Sequence, residues 1–195
     1  MIFVLIGPSG SGKDTLLSKT LSRNNNIKQV AVCTSRPMRD GEVEGRTYNF
    51  IDADQFSDDN FVARRTYDTV YGVWQYGIRK ADFQQLDEKN DYIVIQTPSG
   101  YKELAALRKD VVPVIVHVPF MTRASRLIAR DKLSTDKDAM REFNRRMSTD
   151  AADFSNENMK DITAAGYTVE NIELETALRQ LSDIIESRGT ASKEK

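Results

Sequence analysis

Cysteine, histidine and tryptophan are almost absent from this chain of 195 residues, which has one of each. A single cysteine, Cys33, cannot close an internal disulfide, so the sequence fits a reducing compartment and the expected location is the cytoplasm. Cys33 itself reads as small core packing. His117 ends an apolar stretch and brings no second ligand with it. Zinc sites need several ligands, so it reads as a satisfied core or surface histidine. Long apolar runs are missing too: Ile2–Ile6 is too short for a signal peptide or a membrane span and stops at a glycine. Neither charge is in excess, with 28 Lys and Arg against 29 Asp and Glu. That balance argues against a general nucleic-acid or membrane surface, and any anion must be held by a local cluster. No repeat appears, and the stretch 187–195 keeps Ala191 as its only apolar residue and reads as a frayed tail.

What is present is a pattern of buried strands alternating with helices. Ile2-Phe3-Val4-Leu5-Ile6 is uninterrupted apolar sequence, the mark of a strand covered on both faces. A helix is expected over 12–21, a turn at Asn24-Asn25-Asn26 and a second strand over 29–33. From 34 to about 61 the chain is polar and punctuated by Pro37, Gly41 and Gly45, with strand-like pieces at Tyr48-Asn49-Phe50; 79–90 reads as a helix. Residues 92–95 and 111–118 are further buried strands with helical spacing over 100–107 between them. An arginine-rich helical region runs from 121 to about 154. Tyr167-Thr168-Val169 suggests a last strand, and Leu174, Leu178, Leu181 and Ile185 mark one face of a closing helix. Such alternation implies an α/β fold, a mostly parallel sheet flanked by helices, and the length suits one domain with mobile parts.

The chemistry is concentrated in Gly7-Pro8-Ser9-Gly10-Ser11-Gly12-Lys13, between the first strand and the first helix. That is a phosphate-binding loop in the context the pattern requires. Glycines let successive N–H groups turn toward an anion, the helix N-terminus adds positive potential, and Lys13 reaches the outer phosphates. The plain alternative is a Gly/Ser turn. Where Ser or Thr usually follows the lysine to bind Mg²⁺, this chain has Asp14, with Thr15 behind it. Asp14 offers a hard oxygen for the metal, or serves only as a negative charge at a helix N-terminus; the sequence leaves both open.

Two arginines three apart, Arg36 and Arg39, can present their guanidinium forks to one phosphate, and a tyrosine hydroxyl can complete the cage; the plain reading is a solvated charged loop. With Gly41-Glu42, Gly45 and Tyr48-x-Phe50 they make a segment that resembles the signature of the guanylate kinase family, P-loop nucleoside monophosphate kinases. The resemblance covers nearly the whole chain and is thin over 61–76. It implies a single domain: a core from 1–33 and 91–120, an insert binding the nucleoside monophosphate (NMP) at about 34–90, a helical lid at about 130–146, a closing core 147–187 and a tail 188–195. It implies ATP-binding residues Gly7, Ser9, Gly10, Ser11, Gly12, Lys13, Asp14, Thr15 and Asn171, the last near the adenine. It also implies Mg²⁺ at Asp14 and a cage of Arg36, Arg39, Tyr48 and Tyr76 around the acceptor phosphate. Arg126-Leu127-Ile128-Ala129-Arg130 is similar to the start of the family's lid and Arg146 to the arginine after it, so Lys13, Arg130 and Arg146 are the implied catalytic residues. The partners implied are ATP and a nucleoside monophosphate, with the chain a monomer or homodimer.

The base-reading positions depart from the family. Ala63 stands where a glutamate is expected, Ile78 where a hydroxyl residue is, and Gln96-Thr97-Pro98-Ser99 where an aspartate is. The segment 64–75 is about five residues longer than the family's and brings Tyr67, Asp68, Tyr71 and Trp74 toward the acceptor. Asp68, Gln96 and Thr97 are candidate replacement readers; the other reading of 64–75 is a hairpin with an aromatic pair. GMP or dGMP is therefore implied by resemblance alone. Other (deoxy)nucleotides, a ribose bisphosphate, or a non-catalytic phosphopeptide-binding module with an inherited cage remain alternatives.

Overall fold

Strand β1 (Ile2–Ile6) is buried along its whole length, and a strand with no polar face must be covered on both sides. It lies in the middle of a five-stranded sheet with β2 (Ile27–Gln29), β7 (Asp91–Gln96), β8 (Val111–His117) and β9 (Tyr167–Glu170), in the order β2-β7-β1-β8-β9. Every pairing is parallel. The computed structural model describes residues 1–39, 41–45, 48–131 and 136–193. Asp40, Arg46 and Thr47 of the arginine-rich loop, 132–135 of the expected lid and the last two tail residues lie outside them.

Alternation along β1 sends side chains to two cores. Phe3 and Leu5 pack with Leu16 of α1 (Lys13–Arg23) and Leu178 and Leu181 of α7 (Leu174–Lys193). Ile2, Val4 and Ile6 pack with Leu104 of α3 (Pro98–Leu107) and Ile162 of α6 (Asn156–Ala165). Each of these buried side chains stabilises the fold by roughly 1.5–3 kcal/mol.

A second sheet carries the polar insert. Its strands β3 (Cys33–Thr34), β4 (Asn49–Phe50), β5 (Phe61–Thr69) and β6 (Gly72–Arg79) run in the order β4-β3-β6-β5. The single strand expected over 29–33 is thus two. β2 pairs with β7 in the core sheet, while β3 pairs with β4 and β6 in the other, so the change of partner divides one apolar run. The helix expected over 79–90 shrinks to α2 (Lys80–Gln84), because Ile78 and Arg79 are taken into strand pairing with Val62 and Phe61. A turn then closes on Asp87, whose carboxylate accepts the N–H groups of Lys89 and Asn90.

The arginine-rich region is α4 (Phe120–Asp131) and α5 (Lys137–Asp153). Side chains cap the N-termini: Thr97 caps α3 with Pro98 at its first turn, Asp136 caps α5 and Ser155 caps α6. Helix α7 continues to Lys193, through most of the expected tail; extending an existing helix costs far less than starting one. No helix among the described residues is long and apolar enough to cross a membrane.

Candidate active site

The loop after β1 is bent by two left-handed glycines, Gly10 (φ +77°) and Gly12 (φ +84°). A Cβ at Gly10 would lie 2.8 Å from the Arg123 carbonyl oxygen, and one at Gly12 would lie 2.4 Å from Asn171 Nδ2. Side chains are therefore excluded by both conformation and space. Lys13 Nζ folds back over the loop, donating to the Pro8 carbonyl at 3.1 Å and reaching Ser11 Oγ at 3.4 Å. Burial lowers its pKa, opposed by the charges of Asp14 and Asp150. Gly7, Ser9, Gly10, Gly12, Lys13, Asp14 and Thr15 line one open cleft of ≈ 700 Å³.

Two expected ATP contacts sit elsewhere. Ser11 is fully buried, and its N–H bonds the Pro8 carbonyl. Asn171, 3% exposed, donates its side-chain amide to the Ser11 carbonyl at 2.7 Å and does not line the cleft. Its place at the end of β9 puts it beneath the loop, where it satisfies a carbonyl that the glycine turn leaves open.

Two further residues hold the loop. Asp150 of α5 accepts the Ser9 N–H at 2.8 Å, and Arg123 of α4 donates to the Ser9 carbonyl at 3.0 Å; the two lie 3.7 Å apart. Burial raises the pKa of Asp150, while Ser9, Lys13 and Arg123 pull it down. Arg123 had a sequence signal, since it stands three and seven residues before Arg126 and Arg130 on one helical face. Asp150 had none.

Arg36, Arg39, Tyr48 and Tyr76 line the same cleft as Lys13. Arg36 is 4% exposed and forks onto Glu42, with Nη1 2.7 Å from Oε2 and Nη2 on Oε1. Nη1 also donates to the Pro37 carbonyl at 2.9 Å, and the guanidinium lies 5.0 Å from the centre of the Tyr48 ring. Of its five N–H groups, those on Nε and one on Nη2 have no partner among the described residues and can face an anion. Tyr48 meets Tyr76 edge-on at 6.0 Å, and burial raises its phenol pKa.

Arg130 and Arg146, 16 positions apart in the sequence, are brought together by one carboxylate. Asp131 accepts from Arg130 at 2.6 and 2.9 Å and from Arg146 at 3.1 Å. Glu142, 3% exposed, holds Arg146 Nε at 2.9 Å and Arg145 at 2.7 and 2.9 Å. Both expected catalytic arginines line the same cleft as Lys13, and Arg146 joins Arg130 there.

At the far end, the extended segment is the hairpin β5–β6, with Tyr71 stacked on Trp74 at 6.1 Å. Asp68, a candidate base reader, is exposed and does not line the cleft. Neighbouring strand residues face opposite ways, and here Tyr67 and Thr69 face in. Ile78 is wholly buried in the core and cannot read a base. Gln96 and Thr97 do line the cleft, but the Thr97 hydroxyl already accepts the Gly100 N–H at 3.1 Å as the cap of α3. His117 is exposed and pairs with Glu170 at 2.8 Å; Cys33 is fully buried. Among the described residues no group of three or more His, Cys, Asp and Glu could hold a metal. Asp14 and Thr15 nevertheless offer hard oxygens at the cleft, and Asp14 is exposed with no hydrogen bond or ion pair among the described residues, as a Mg²⁺ ligand set completed by phosphates and water requires.

A parallel sheet whose central strand feeds a glycine loop and a helix N-terminus, with a lysine facing an arginine-lined cleft, defines a P-loop nucleotide-binding protein. The sequence profile of the family described as Guanylate kinase matches residues 1–188, and the chain belongs to that family. The guanylate kinase of Hydrogenovibrio crunogenus is 30% identical over 188 residues, covering 94% of this chain and 85% of that protein. That of Clostridium tetani is 26% identical over 190 residues, covering 95% and 85%. A crystal structure of guanylate kinase from Anaplasma phagocytophilum superposes with a TM-score of 0.62 at 21% identity, covering 96% of this chain and 85% of that one, a likeness of fold.

Proposed function

We propose that this protein transfers the γ-phosphoryl of ATP to the 5′-phosphate of GMP, giving GDP and ADP in the cytosol. The observation that supports this most is that one cleft is lined both by an intact phosphate loop with Lys13 and by the Arg36, Arg39, Tyr48 and Tyr76 group. In this reading ATP lies on the loop's N–H groups and residues 34–90 hold the acceptor. The acceptor phosphate oxygen attacks the γ-phosphorus in line, and the bond to the β–γ bridging oxygen breaks. Charge spread over the transferring oxygens is met by Lys13, Arg130 and Arg146, without a covalent intermediate. Asp131 orients the two arginines, and lid closure over 130–146 excludes water. Asp14, with help from Thr15, would hold Mg²⁺, which would supply charge neutralisation for the phosphates when bound.

A coupled assay for ADP with ATP, Mg²⁺ and each nucleoside monophosphate tests this. Turnover with GMP well above the other acceptors is expected. ADP formation with none of them would overturn the assignment and leave a binding module.

A further inference from the structure

The far end of the cleft is built by residues the mechanism above does not use. Strand β5 carries a bulge: Val62 pairs with Ile78 and Arg65 with Tyr76, so Ala63 and Arg64 together face one partner. Ala63 sits at φ +51°, the one non-glycine with positive φ among the described residues, a conformation that persists only when its surroundings hold it. What holds it is Glu103 of α3, whose Oε2 accepts the Ala63 N–H at 2.8 Å. The bulge shifts the alternation by one residue. Arg65 and Tyr67 therefore face the cleft, and Arg64 and Asp68 do not.

Arg65 is held in place on every side. Glu103 Oε1 forms an ion pair with its Nη2 at 2.9 Å, Ser99 Oγ and Thr97 Oγ1 accept from Nε at 2.9 and 3.3 Å, and the Arg64 carbonyl accepts from Nη1. Among the described residues these contacts leave at least one N–H free on each terminal nitrogen. A guanidinium fixed in this way has already lost the freedom it would otherwise lose on binding. Asp153, the last residue of α5, lines the same end of the cleft. Its carboxylate is half-buried and has no hydrogen bond or ion pair among the described residues. It is near enough to feel the Arg65 charge without contact, and burial raises its pKa. The edge-on row Tyr48–Tyr76–Tyr67, with steps of 6.0 and 5.8 Å, runs from the two tyrosines of the phosphate cage to Tyr67, which feels the charges of Asp153 and Arg65.

We propose that Arg65 and Asp153 read the acceptor's base, Arg65 donating to guanine O6 and Asp153 accepting from N1–H and the N2 amino group, with Glu103 as the residue that positions Arg65. This rests on the nucleotide kinase reading above and supplies the readers missing at Ala63 and Ile78. Adenine would turn an amino donor toward the Arg65 donors, leaving both unpaired, and hypoxanthine would keep O6 and N1–H but offer Asp153 no amino group.

The test compares GMP, IMP and AMP with the wild type, Asp153→Asn, Arg65→Met and Glu103→Gln. Steady-state turnover is measured alongside acceptor titrations without ATP, read from the fluorescence of Trp74, the single tryptophan, which lines the cleft. Asp153→Asn should lower kcat/KM for GMP by about 5- to 100-fold, IMP less and AMP not at all. Arg65→Met should lower GMP and IMP together. Glu103→Gln should raise KM for GMP with little change in kcat, a split that general loss of structure would not give. Thermal melts confirm folding, and Arg65→Lys replaces Arg65→Met should the latter not fold. An active wild type whose GMP, IMP and AMP ranking is the same in the Arg65 and Asp153 variants overturns the base-reading assignment. A wild type that phosphorylates none of the three overturns the kinase reading instead, and the Trp74 titrations still decide which base edge the pair recognises: GMP preference lost in both variants supports the pair, and unchanged preference overturns it.

Discussion

Lys13 is held by the Pro8 carbonyl and Ser11 Oγ, so its ammonium is aimed before any phosphate arrives. Removing a charge stabiliser of this kind typically costs a hundredfold or more in kcat. Lys13→Ala should therefore lose at least about that factor in GMP phosphorylation while its circular dichroism and melting curve stay close to wild type. Glu42 makes a second residue-level case. Its hydrogen bonds from Arg36, above all, depress its pKa below the ordinary glutamate value of 4.5, against the opposing effect of burial. A carboxylate depressed in the folded state adds stability above its unfolded pKa and loses it as pH falls through the folded value. Glu42→Gln should thus be less stable by about 1–3 kcal/mol at neutral pH. In urea titrations that gap should close progressively as pH falls below 4.5, and a gap constant with pH would show that the ion pair does not supply it.

Helix α3 shows how one element can serve fold and site together. Thr97 closes its first turn by accepting the Gly100 N–H, and the same oxygen receives Arg65 Nε. Loss of a Thr cap costs about 1 kcal/mol, which lowers Tm by roughly 2–4 °C in a chain of this size. Thr97→Ala should show that drop in calorimetry, and Thr97→Ser, which keeps the hydroxyl, should not. The ends of α4 and α5 play a comparable part for the phosphate loop, gripping Ser9 at its carbonyl and its N–H.

Across the whole molecule, the cleft is walled by the core sheet's loop, the insert's strands and the two arginine-bearing helices, so a ligand in it touches core, insert and the α4–α5 pair together. Binding to the folded state alone stabilises by about 2.7 kcal/mol at a hundredfold excess over Kd, which is roughly 5–10 °C in Tm here. ATP should raise Tm by about that much in the wild type and by clearly less in Lys13→Ala. An equal shift in both would place ATP somewhere other than the loop.

The sequence by itself determined the parts that depend on neighbours in the chain. The apolar run of β1, the glycine spacing before Lys13, the Arg36–Arg39 pair and the closing helix are all local patterns of period or spacing, and the parallel α/β class follows from their alternation. Tertiary structure decided the rest, because it depends on residues far apart in the chain. Ser9 meets Asp150 across 141 positions and Arg123 across 114, Asn171 reaches the loop across 160, and Glu103 secures the Ala63 bulge across 40. The bulge is the sharpest example. A shift of one residue exchanges the two faces of a strand, and no propensity in Ala63-Arg64-Arg65 says which arginine will face the cleft. That choice is made by a carboxylate on another helix, and it puts Arg65 and Tyr67 inside while leaving Asp68 in solvent.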